Sequence, residues 1–236
     1  MRFASCALAL ILSMSAVSPK SGVSTRAPKT PKPATAVPVS NADLSGQPFR
    51  SAITFLNGSP ANPAAYPATV DGFTAYLRAC GVQDYAAQDL TRPNHPDIAR
   101  RLGYTYFVPP QNWWDRGAAL ALLAQGIHRT ASVPVVIRNW WRPEDYNRQP
   151  GVDGARASDH ISATALDLDY ASPADRAKAE SFLRELNARA PWMKMSMGLG
   201  PVTTHIGLLS PRGSREWHYA GYTPTQRVAS PVRRRA

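Results

Sequence analysis

Between residues 165 and 190 a strand pattern runs into a helix pattern with almost no connector, and that junction sets the class of the fold. In ALDLDY, Leu166, Leu168 and Tyr170 alternate with Asp167 and Asp169. That is the period of a strand with one apolar and one polar face. Ser172 then reads as a helix N-cap, Pro173 as the first helical position and Asp175 as a first-turn acid. Ala179, Phe182, Leu183 and Leu186 fall on one helical face, and the helix is expected to end before Pro191.

The rest of the chain supplies further elements of both kinds. VDGFTAYLRACG (70–81) reads as a helix, and so does DRGAALALLAQGIHR (115–129), with one apolar side. SVPVVIRNWW reads as a buried strand, followed by a long loop, RPEDYNRQPGVDGARAS, punctuated by Pro and Gly. WMKMSMGLG, TTHIGLL and REWHYAGY suggest two or three short late strands. The expected fold is α+β, a small and mostly antiparallel sheet with helices packed on it.

The ends are expected to differ from this body. Residues 1–18 read as a signal peptide: Arg2 is a minimal charged region, Phe3 to Val17 is apolar and small, and small residues follow. The run is too short for a membrane span of about 20 residues. Residues 19–40 are a Pro- and Lys-rich segment expected to be a disordered linker. Folded structure is expected to begin between 41 and 70, with 41–109 a helical and loop extension, 110–226 the main domain and 227–236 a basic tail. The formal net charge is +11. Residues 1–40 hold +5 of it and residues 227–236 hold +4, which leaves +2 for the body. A body so nearly neutral argues against a nucleic-acid partner. The two cysteines are Cys6 and Cys80. Loss of the signal leaves Cys80 alone, expected to be a small buried residue, with no cysteine-based metal site.

SDHISATALDLD (158–169) carries the chemistry. His160 and Asp167 stand seven residues apart, on a loop and on the strand that leaves it. They can converge on a metal ion, and the same residues also suit a turn and a strand with one wet face. A catalytic zinc needs three protein ligands and an open position. Of the remaining histidines, His95 reads as a surface turn and His128 as a surface or capping residue, which leaves His205 and His218.

At these residues the chain resembles the zinc D-Ala-D-Ala carboxypeptidases of peptidase family M15, whose fold is shared with the hedgehog signalling domain. SDHISATALD is similar to the signature S-x-H-x-x-G-x-A-x-D, with Ser158, His160, Ala165 and Asp167 matching. Ala163 stands where the family has glycine, which implies a slightly different turn. NWWRPEDYN resembles Y-R-S-P-x-x-N through Arg142, Pro143 and Asn147. GLG, THIG and REW resemble G-I-G, H-x-D and R-x-W elements. The resemblance covers about residues 110–222. It implies that Zn2+ is held by His160, Asp167 and a third ligand, His205 or alternatively His218. It implies that Arg142, Ser158 and Asn147 bind substrate, with Asp169 beside the ligands. The acid position two residues after His205 is Gly207. Glu216, the one acid of this late region, is therefore the candidate general base, and a surface partner for Arg212 or Arg215 is its other reading.

The implied function is an exported or periplasmic zinc metallopeptidase, a carboxypeptidase or endopeptidase acting on peptidoglycan stem peptides. The alternative is a non-catalytic peptidoglycan-binding module on the same fold. No membrane span is expected after signal removal.

Overall fold

The computed structural model describes residues 47–224, apart from 153 and 211. The signal, linker and basic-tail readings lie outside the described residues. Seven α-helices and five strands are described: α1 (Gln47–Phe55), α2 (Val70–Ala79), α3 (Ala87–Thr91), α4 (Pro96–Arg101), α5 (Trp114–Thr130), β1 (Val135–Asn139), α6 (Glu144–Asn147), β2 (Ala165–Tyr170), α7 (Pro173–Arg189), β3 (Ser196–Leu199), β4 (Thr203–Gly207) and β5 (Arg215–His218). The sheet order is β1-β2-β4-β3-β5. Every neighbouring pair is antiparallel except β3 and β5, which run parallel at one edge. The fold is α+β with a mostly antiparallel sheet, as expected.

The strand-to-helix junction follows its residues. The Ser172 hydroxyl accepts from the Asp175 N–H, and Pro173 opens α7. Ala179, Leu183 and Leu186 are buried, and the helix stops before Pro191. In β2, Leu166, Leu168 and Tyr170 are buried while Asp167 and Asp169 lie on the other face. The apolar face of the sheet, with Met197, Leu199 and Ile206, joins the main core with α5 and α7.

Two expectations change. α5 is not apolar on one side only: it is buried along nearly its whole length, because α1 and α2 cover the side away from the sheet. Its Gly117 lets Trp140 in close, since a Cβ there would meet the indole at 2.6 Å. The long loop after β1 also contains α6, which rests on a separate small core. Ala99 of α4, Phe107, Tyr146 and Val152 are buried together there, and the Tyr146 hydroxyl accepts from the His95 backbone N–H. The segment preceding α5 therefore props the loop that carries Arg142. His95 itself is exposed and contributes only its backbone.

Candidate metal centre

Residues paired across a sheet point to the same face. Asn139 of β1 pairs with Asp167 of β2, Asp167 with His205 of β4, His205 with Gly198 of β3, and Gly198 with Trp217 of β5. One rung thus crosses all five strands on the face opposite the core. A Cβ on Gly198 would meet the Trp217 indole at 2.5 Å, so the absence of a side chain lets that ring cross β3 and rest on His205, centroid to centroid 5.3 Å.

His160 reaches this rung from a turn. Ala163 N–H donates to the His160 carbonyl and Thr164 N–H to the Asp159 carbonyl, the pair of bonds that closes a Schellman turn. The left-handed residue of such a turn is usually glycine. Here it is Ala163, at φ +55°, so the turn keeps the conformation glycine serves and alanine bears its strain. Three donors anchor the turn's carbonyls: Trp141 indole to Ile161, Arg116 to Ser162 and Trp140 indole to Ala163.

His160 Nε2, Asp167 Oδ1 and His205 Nδ1 form a triangle with sides of 3.1, 2.9 and 3.2 Å. They are one group able to hold a metal ion. A tetrahedral ion with bonds of about 2.0–2.1 Å needs ligand atoms about 3.3 Å apart, so the spacing fits. Protonation fits as well. The His160 Nδ1–H donates to the Trp140 carbonyl at 2.5 Å, which leaves Nε2 with a lone pair for the metal. Burial pulls the His160 pKa below its ordinary value, against the attraction of Asp167, and so favours the neutral ring. Burial works against the Asp167 carboxylate, but the His160 and His205 rings outweigh it and hold the pKa well below the usual range. Asn139 donates to the second Asp167 oxygen at 3.4 Å.

The other sequence candidates divide by face. Arg142 stands beside the centre: it donates to the Ser158 hydroxyl at 3.0 Å, and its backbone N–H donates to the His160 carbonyl. Neither Glu144 nor Asp145 is its partner, since Arg148 pairs with Glu144 and Tyr104 donates to Asp145. Burial lowers the Arg142 pKa, with Asp167 the main opposing influence. Ser158 accepts from Arg142 and from the His160 N–H, so it braces the turn. Asn147 is buried and donates to the Ala155 carbonyl, holding the loop closed. Asp169 accepts from the Thr203 hydroxyl at 2.7 Å and pairs with Arg138 at 3.5 Å, one rung away.

Glu216 and His218 are not brought to the centre. Glu216 continues the core-side rung of Leu166, Ile206 and Met197, and His218 continues that of Thr204 and Leu199. Glu216 pairs with Arg184 of α7 at 3.0 Å, not with Arg212 or Arg215, and His218 stacks on Tyr222. The general-base expectation for Glu216 fails by strand parity, and of the two candidate third ligands it is His205 that joins the cluster. Arg212 and Arg215 instead clamp buried Asp159, each at 3.0 Å. Asn139 and the Trp140 carbonyl are parts of the site that sequence reasoning left unassigned.

A family model described as Peptidase M15 matches residues 109–200. No curated protein and no solved structure matches the chain. The match covers His160 and Asp167 and ends five residues before His205. Over that matched segment, the chain is similar to peptidase family M15.

Proposed function

We propose that this chain is a zinc-dependent peptidase that acts on peptidoglycan stem peptides outside the cytoplasm. The convergence of His160 Nε2, Asp167 Oδ1 and His205 Nδ1 within 3.2 Å carries the reading. Two imidazoles and one carboxylate are the donor set of a catalytic zinc with an open position. Zinc bound there supplies Lewis-acid activation of water and of the scissile carbonyl. Arg142 holds the substrate. Its guanidinium is half-buried beside Asp167 and bonded to a hydroxyl rather than a carboxylate, which leaves charge to meet a peptide carboxylate. Export rests on the apolar N-terminus. No helix among the described residues is long and apolar enough to cross a membrane.

One observation favours a second reading. Gly207 stands in the rung next to His205, and the nearest other carboxylates are engaged elsewhere: Asp159 with two arginines, Asp169 with Thr203 and Arg138, Glu216 on the far face. A metal-holding module that binds wall peptides without cutting them fits that arrangement.

The purified full chain, loaded with zinc, is incubated with muropeptides with and without chelator, and products are read by mass. Chelator-sensitive loss of a terminal residue or of a cross-link supports the peptidase and identifies its bond. A folded, zinc-bound chain that yields no product from any stem peptide moves the conclusion to the binding module.

A further inference from the structure

The site face of β5 does not end with the strand. Arg215 and Trp217 point to the metal side, and the next residue of that parity is Tyr219, held to the edge of β3 by its N–H bond to the Leu199 carbonyl at 2.8 Å. Its ring meets Trp217 edge-on at 6.0 Å, and Trp217 in turn lies on His205. An aromatic step therefore leads from the metal ligand to the rim of the site. Tyr219 is 48% exposed, so a ligand can reach it. Strand parity and the two ring contacts place Tyr219 on the metal side of the sheet, one ring beyond Trp217.

We propose that Tyr219 is a catalytic residue of this site: its neutral phenol donates a hydrogen bond to the scissile carbonyl oxygen as that oxygen gains charge. The inference rests on the peptidase reading and adds a named donor to it. In the reaction, water adds to the carbonyl carbon, the C–N bond breaks and the amine leaves with a proton. Tyr219 keeps its own proton throughout and contributes only the hydrogen bond. A phenol is protonated at neutral pH, and burial raises this one further, so the donor is present. A hydrogen bond offered where charge develops stabilises the transition state more than the ground state.

The test compares the full-length wild type with Tyr219→Phe, both loaded with zinc. Loss of one such donor is expected to lower kcat about 10²–10³-fold with KM and zinc content little changed. A second readout is binding of a phosphinate dipeptide, a stable tetrahedral mimic, by calorimetry. Tyr219→Phe is expected to weaken the phosphinate about tenfold or more while the affinity for an uncleaved planar peptide holds. Equal phosphinate binding by the two proteins overturns the role of Tyr219, whether or not peptide is cut. A wild type that cuts nothing, yet loses phosphinate affinity on Tyr219→Phe, overturns the peptidase reading and upholds the hydrogen bond. Parallel loss of zinc from Tyr219→Phe makes the residue a structural support and overturns the proposal.

Discussion

Glu216 and Ala163 show how much a single side chain decides. Glu216 faces α7, where its bond to Arg184 holds its carboxyl below the usual value, with burial opposing. A carboxylate of depressed pKa stabilises the fold above its unfolded value near 4.5, and the contribution is lost as pH falls through the lower folded value. Glu216→Gln should therefore cost at most about 1 kcal/mol at neutral pH, the partial exposure of the pair being allowed for. It should also flatten the acid limb of stability below pH 4.5. Zinc content and any peptide hydrolysis should stay within about twofold of wild type, as for a residue remote from the site. Denaturant titrations across pH and a hydrolysis assay check both halves. At Ala163, glycine would relieve a left-handed strain of about 1–2 kcal/mol. It would also lose a buried methyl worth about 0.8 kcal/mol and about 0.4–1 kcal/mol of chain entropy. Ala163→Gly is thus expected to leave stability within about 1 kcal/mol of wild type by chemical denaturation. A loss beyond about 2 kcal/mol would show that packing of this methyl dominates the turn.

At the scale of elements, the five-strand rung makes the site a property of register. Gly198→Ala would drive a Cβ into the Trp217 indole, lift that ring from His205 and strain β3 against β5. A stability cost of about 1–3 kcal/mol is expected from overpacking. A 10–100-fold loss of metal affinity, of the order seen when supporting groups are removed, is also expected, measured by competition with a chromogenic chelator. This scale also explains what could be read in advance. The β2–α7 junction was legible because alternation, cap and proline all sit within adjacent residues. His160 and Asp167 were legible because one strand and its turn carry both. The third ligand was not, because His205 and His218 lie on different strands, and only the pairing through Gly198 puts one on the metal side and the other on the core side. α1, α3, α4 and α6 went unread because they run from four to nine residues. Their apolar residues find partners far along the chain, as Phe107 finds Tyr146, and no local period announces that.

At the scale of the molecule, the centre ties distant segments together: a turn after the long loop, a central strand and a late strand. Such a cluster has no counterpart in the unfolded chain, so a metal ion bound there would add to folding stability. Free zinc at 100 times its dissociation constant should add about 2.7 kcal/mol, and a chelator should remove it. His205→Ala should abolish that increment and His218→Ala should retain it, in paired melts with and without metal. The segment before α5 enters at this scale too, since α4 and Phe107 support the loop that delivers Arg142.

The single rung has one more consequence. A one-residue slip between β2 and β4 would send either Asp167 or His205 to the wrong side and expose leucine or isoleucine in its place. Such a misaligned sheet keeps most of its backbone bonds, but it forfeits the ion. Metal occupancy would therefore report strand alignment: an ion held at this centre would require the native register of β2 against β4.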